Sequence, residues 1–192
     1  MSKTRTFVAV AASSDVRERA QKAISQLSRF ADNINWVVPK NLHWTLQFLG
    51  DVDDIELAEV CRQVGKVAEQ QEPFSLVAQG IGAFPSVDRP RALWLGADQG
   101  AEALCALQDA IEESLAEIGF RGERRRYVPH LTLGRVGRGS HGGAELAKQV
   151  GTMADFEGGS MQVERVGVFG SELERTGPTY HVISRASLKG DG

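Results

Sequence analysis

The sequence predicts a fold of mixed helices and strands in which a β-α-β-α-β order occurs twice. Three observations carry this. Strand-like alternation and helix-like spacing follow each other in the same order in both halves of the chain. The stretches "HWTL" at 43–46 and "HLTL" at 130–133 stand 87 residues apart. The same offset sets Trp94 over Phe7, Ile111 over Ile24, Val163 over Leu76 and Val168 over Ile81.

The first element is an alternating strand over Arg5–Ala11. Its apolar part, Phe7–Ala12, follows Lys3 and Arg5 but is shorter than the ~7–15 residues of a signal h-region. It is therefore assigned as a strand, and the protein is expected to be cytoplasmic. Ser13, Ser14 and Asp15 then offer helix caps, and Val16, Ala20, Ala23, Ile24 and Leu27 recur at helical spacing, so 14–30 is predicted as a helix. A strand follows at 42–49. "GDVDD" is predicted as a turn and helix start, with a helix over 53–70 that ends before Pro73. "FSLVAQGIGAF" at 74–84 is a strand and "PSVDRP" a turn.

The order then restarts. "RALWLGA" is a strand, and 102–118 is a helix with Leu104, Leu107, Ile111 and Leu115 on one side. "YVPHLTLGRV" is a strand, 143–150 a short helix and 161–170 a strand. A last strand at 179–188 lies outside the repeat. The second helix of each half matches poorly. The expected organisation is one domain over 1–192, with repeats at about 5–84 and 91–170. "GRGSHGG" at 137–143 is the most linker-like stretch, and the tail "KGDG" is expected to fray.

Composition narrows the function. The chain is 42% hydrophobic and 24% charged, as in an ordinary globular protein. A net charge of −3 excludes a nucleic-acid grip based on overall charge, so any phosphate must be held by a local cluster. "RGERRR", with Arg121, Arg124, Arg125 and Arg126, is one such cluster. No run approaches the ~20 apolar residues of a membrane-spanning helix. Cys61 and Cys105 lie in helical patterns without a C-x-x-C, which points to free thiols rather than a disulfide or metal site. No Walker loop is present, and two-metal carboxylate chemistry has no support in the sequence.

The chemistry sits in the repeated H-x-T-x. Alternation along a strand puts His43, Thr45 and Gln47 on one face and Trp44, Leu46 and Phe48 on the other. His130 and Thr132 share a face in the same way, opposite Leu131 and Leu133. The large apolar residues are expected to pack under the helices. A lone strand histidine is usually structural, but a matched pair in a repeat reverses those odds; His141 and His181 have no such partner. Related by a two-fold axis, the pairs would face each other across one cleft. With side-chain pKa values near 6.5, one imidazole can be neutral while the other is protonated. One then removes a proton as the other delivers one, while the threonine hydroxyls donate to anionic oxygens. This combination suits metal-free phosphoester cleavage. The residues alone leave acid and base interchangeable.

"NLHWTLQFLG" and "PHLTLGRV", with "RTFVAV" and "RALWLG", resemble the two-histidine (2H) phosphoesterases, in particular the RNA 2′,3′-cyclic phosphodiesterases once described as 2′-5′ RNA ligases. The resemblance covers nearly the whole chain and is weakest at 137–160. Trp44 stands where a smaller apolar residue is expected. The resemblance implies an α+β fold of two pseudo-symmetric lobes, with antiparallel strands lining a central cleft and helices outside. It implies a hydrolase without metal or other cofactor, acting on RNA ends or small cyclic nucleotides and away from membranes; nothing in the sequence suggests an obligate dimer, so a monomer is expected. Such an enzyme opens a ribose 2′,3′-cyclic phosphate to a 2′-phosphomonoester. His43 would protonate the departing 3′ oxygen, His130 would take a proton from water, and Thr45 and Thr132 would hold the non-bridging oxygens. The alternative is an RNA-end binding or 2′-5′ end-joining protein using the same cleft.

Two further assignments come from position. Arg126, four residues before His130, is a candidate phosphate contact, whereas alternation puts Arg135 off the His130 face in a structural role. Phe7 and Trp94, and likewise Tyr127 and Tyr180, are assigned to core packing ahead of base stacking.

Overall fold

The computed structural model describes residues 3–137, 143–175 and 177–189. His141, most of the 137–143 stretch and the last residues of the tail lie outside them. The elements in order are β1 (Lys3–Ala11), α1 (Ser14–Leu27), β2 (Ile34–Trp36), β3 (His43–Asp53), α2 (Asp54–Ala68), β4 (Phe74–Phe84) and β5 (Ala92–Ala97). Then come α3 (Ala101–Glu117), β6 (His130–Val136), α4 (Gly143–Thr152), β7 (Glu157–Val163), β8 (Arg165–Glu174) and β9 (Gly177–Ser187). The fold is α+β. One sheet runs in the order β7-β4-β5-β6-β3-β1-β8-β9, with β2 also paired to β6, and all the described pairings are antiparallel.

Local chemistry explains the helix starts. The Ser13 hydroxyl accepts from the Val16 amide and caps α1, whose buried face is Val16, Ala20, Ala23 and Leu27. Of the stretch predicted as a turn and helix start at 50–54, residues 50–53 end β3 and Asp54 opens α2 as expected. Asp53 then closes the strand and caps α2: its carboxylate accepts from the Ile55 and Glu56 amides, while Glu56 accepts from the Asp53 amide. In α3, Leu104, Leu107, Ile111 and Leu115 are buried as their spacing predicts.

Three elements differ from expectation. β2 is too short to show an alternation. β6 begins only at His130. The strand predicted at 161–170 is two strands meeting at Glu164, because β7 pairs with β4 whereas β8 pairs with β1. This stretch therefore serves both halves of the sheet.

β3 and β6 meet at the middle of the sheet through one residue pair, Trp44 with Leu131. Both are fully buried, together with Val8, Val10, Leu46, Leu93, Leu95 and Leu133. The helices cover this face, and the opposite face carries the histidines.

A β-bulge follows each H-x-T. Val8 pairs with Gln47 and Ala9 with Thr45, so Leu46 is an extra residue in β3. Leu93 pairs with Gly134 and Trp94 with Thr132, so Leu133 is the extra residue in β6. The two bulges are 87 residues apart, like the motifs. Each reverses the alternation beyond it. Strict alternation places Gln47 on the histidine face and Phe48 in the core; the structure shows the opposite. Gln47 is buried, and its amide donates to the Phe120 carbonyl at 3.1 Å, while Phe48 is 56% exposed.

Trp44→Ala is expected to cost about 3–5 kcal/mol of stability, and Phe48→Ala no more than about 1 kcal/mol, both read from urea melts. Similar losses for the two would contradict the bulge at Leu46.

Candidate active site

His43 opens β3 and His130 opens β6, so each ring stands where its strand leaves a loop. The antiparallel bridge between Trp44 and Leu131 sets His43 toward the Thr132 side and His130 toward the Thr45 side. The two H-x-T stretches thus run past each other in opposite directions. Their apolar middle residues meet in the core, and their polar residues lie on the other face.

Each imidazole is held in the same way. His43 Nδ1 lies 2.6 Å from the Asn41 carbonyl and His130 Nδ1 lies 2.7 Å from the Val128 carbonyl. A carbonyl only accepts, so Nδ1 carries the hydrogen in both rings. Nε2 is thereby left as the nitrogen able to accept a proton in both. Asn41 does more than Val128. It is buried, and its side-chain amide donates to the Pro178 carbonyl of β9 at 2.8 Å. One residue therefore ties His43 to the strand that carries Tyr180. Its only sequence signal is a polar side chain two residues before the histidine.

Aromatic rings wall the site. Phe7 lies 4.9 Å from the His43 ring and stacks on Phe169 at 5.4 Å. Tyr180 meets both Phe7 and His43 edge-on, at 4.9 and 5.4 Å. On the other side, Phe84 stands edge-on to His130 at 5.0 Å and 5.1 Å from Trp94. Trp94 lies over Gly82, where a Cβ would collide with its ring, and a Cβ on Gly96 would collide with the Gln79 carbonyl. Phe7 is buried among these rings, in keeping with core packing, whereas Trp94 is only partly buried. The match between the two is partial. Both pair in register with the equivalent outer strands, β8 and β4, but Phe7 sits opposite Phe48 while Trp94 sits opposite Thr132. Tyr127 packs against the core instead, and burial pushes its phenol up.

The charges acting on the histidines correct one assignment. Burial pushes the His43 pKa below its ordinary value; the Asn41 carbonyl opposes this, and the His130 ring and Arg135 add to it. Burial also lowers His130, opposed by the Val128 carbonyl, with Arg135 lowering it further and Glu123 raising it. Arg135 thus acts on both rings and on Tyr180 as well. Alternation had put it off this face, but the extra residue at Leu133 re-phases the strand and turns it toward the site. Arg126 is exposed in the loop before β6, and its charge acts on the Cys105 thiol of α3. His181 is half-exposed, 4.0 Å from Glu172.

Both imidazoles should titrate below 6.5 in NMR spectra of the free protein, and Arg135→Gln should raise both values. The folded chain then binds fewer protons than the unfolded chain just below pH 6.5. These groups accordingly favour folding above that pH, and their contribution is lost as the pH falls through the folded values. Titration of either ring above 6.5, or no response to Arg135→Gln, would contradict this electrostatic picture.

Known proteins share this fold and sequence. The LigT like Phosphoesterase family model matches the chain twice, over residues 10–94 and 95–180. An RNA 2′,3′-cyclic phosphodiesterase of Methanothermobacter thermautotrophicus is 36% identical over 178 residues, covering 93% of this chain and 95% of its own. One of Aquifex aeolicus is 30% identical over 191 residues, 99% of this chain and 100% of its own. Among solved structures, TT0787 of Thermus thermophilus superposes with a TM-score of 0.82 at 26% identity, over 98% of this chain and 100% of that one. Escherichia coli LigT complexed with 3′-AMP shares the fold at a TM-score of 0.77 and 23% identity, over 98% and 99% of the two chains. With a fold shared along its whole length and a family match to each half, this chain belongs to the LigT-like phosphoesterases.

Proposed function

We propose that the protein is a metal-independent RNA 2′,3′-cyclic phosphodiesterase that opens the cyclic phosphate to a 2′-phosphomonoester by acid–base catalysis between His43 and His130. The observation that carries this is the pair of Nδ1-anchored imidazoles on either side of the Trp44–Leu131 bridge, each two residues before a threonine. The activity named for the relatives and the twofold family match support it. The double match also supports a single domain built by duplication, with repeats at about 5–84 and 91–170.

The lowered pKa values suit the task. With both Nδ1 atoms committed to carbonyls, water and leaving group meet Nε2. A bound phosphate anion opposes burial and favours a proton on one ring, while mutual repulsion disfavours a proton on both. By resemblance, His130 takes the proton of the attacking water and His43 delivers one to the departing 3′ oxygen. Thr45 and Thr132 donate to the non-bridging oxygens, and Arg135 balances the charge that builds on them. Arg126 is kept as a contact for the approaching RNA. We further place the enzyme in the cytoplasm as a monomer, where free Cys61 and Cys105 suit a reducing compartment.

The test is hydrolysis of 2′,3′-cyclic nucleotides with a chelator present. His43→Ala and His130→Ala should each lower kcat by about 10²–10⁴-fold, and the double variant should fall little further. The wild-type pH profile should be bell-shaped. A metal requirement, or full activity in either single variant, would refute the mechanism. Tight binding of 2′-phosphate ends without turnover would favour the RNA-end binding alternative.

A further inference from the structure

A groove of about 390 Å³ opens beside the His43 end of β1, with Ala11, Gln162, Glu164, Arg165, Phe169 and Arg185 among its walls. The strand register connects it to the catalytic face. Ala11 pairs with His43, Ala9 with Gly167, and Gly167 with Arg185. From β3 to Arg185 the path crosses three strand spacings, about 14 Å at roughly 4.8 Å each. Phe169 borders both regions, since it stacks on Phe7, the ring that touches His43. The floor is kept low by small residues: Ala11 and Gly167 line the groove, and a Cβ on Gly167 would collide with the Phe169 ring.

Arg165 and Arg185 are exposed, and among the described residues neither forms an ion pair. Glu164 is the acid on the groove wall. Three strands from His43, Arg185 is too far away to serve the phosphate between the histidines, where Arg135 already acts. In a chain with a net charge of −3, two uncommitted guanidinium groups on a low-floored groove form a local site for anions.

We propose that this groove holds the phosphodiester backbone of an RNA chain, one or two nucleotides from its reacting end, through Arg165 and Arg185. This rests on the cyclic phosphodiesterase function above. It makes RNA ends, rather than free cyclic mononucleotides, the preferred substrates. The preference is for length and not sequence, because backbone phosphates carry no base information.

The test compares kcat/KM for a 2′,3′-cyclic mononucleotide with that for a short RNA oligonucleotide ending in the same group. In the double variant R165Q/R185Q, the oligonucleotide-to-mononucleotide ratio should fall about 10-fold, and the salt dependence of oligonucleotide binding should flatten by about 1.4 in log–log slope, roughly 0.7 for each phosphate released. R165E/R185E should lower the ratio further. An unchanged ratio overturns the proposal. So does an equal loss on both substrates, which would mean the arginines act at the reacting centre or through the fold. If the wild type turns over neither substrate, the activity assignment fails on its own. Fluorescence anisotropy with a labelled oligonucleotide ending in a 2′-phosphate then tests the groove directly: weaker binding by the double variant upholds it, and equal binding overturns it.

Discussion

The contact between Trp44 and Leu131 is the constraint on which the site depends. It is the one described residue pair that joins β3 to β6, and both side chains are wholly buried. Each is the middle residue of an H-x-T stretch. Burying the middle residues on one face forces the flanking histidines and threonines onto the other, because strand side chains alternate. The hydrophobic core and the polar site are therefore two faces of the same pairing. No separate loop is needed to bring the histidines together. The antiparallel sense gives each histidine the threonine of the other strand as its cross-strand neighbour.

The same geometry needs a device to widen the site beyond two residues per strand. The bulges at Leu46 and Leu133 provide it. Two successive residues in each strand face the core: Leu46 and Gln47 in β3, Leu133 and Gly134 in β6. Phe48 and Arg135 are thereby turned to the side of the histidines. β3 contributes an aromatic wall at that position and β6 a cation. A shared backbone feature thus carries unlike side chains, and the two halves of a nearly symmetric site differ in charge.

That asymmetry bears on the proton transfer proposed between the two histidines. Both imidazoles are held by the same Nδ1-to-carbonyl bond, and both are pushed toward the neutral form by burial. Their surroundings are not equal. His43 packs against Phe7 and Tyr180 and is locked to β9 through Asn41, whereas His130 has Phe84 beside it and feels the charge of Glu123. Two identical residues placed in different environments can take different roles in one reaction.

The local code was sufficient for much of this. Helix spacing, caps and the 87-residue repeat made the elements and the two H-x-T stretches legible, because amphipathic period and capping act over a few residues. The four motif residues could be placed on one face for the same reason, since they precede the bulges. The rest depended on contacts between distant segments. Neither bulge has a sequence mark of its own: an extra residue exists only relative to the strand it pairs with. For this reason Gln47, Phe48 and Arg135 were misplaced by alternation alone. The division of 157–174 between two neighbours, the Asn41 link to β9 and the path to Arg185 are equally invisible locally. Each is a relation of register between strands, which only the folded sheet decides.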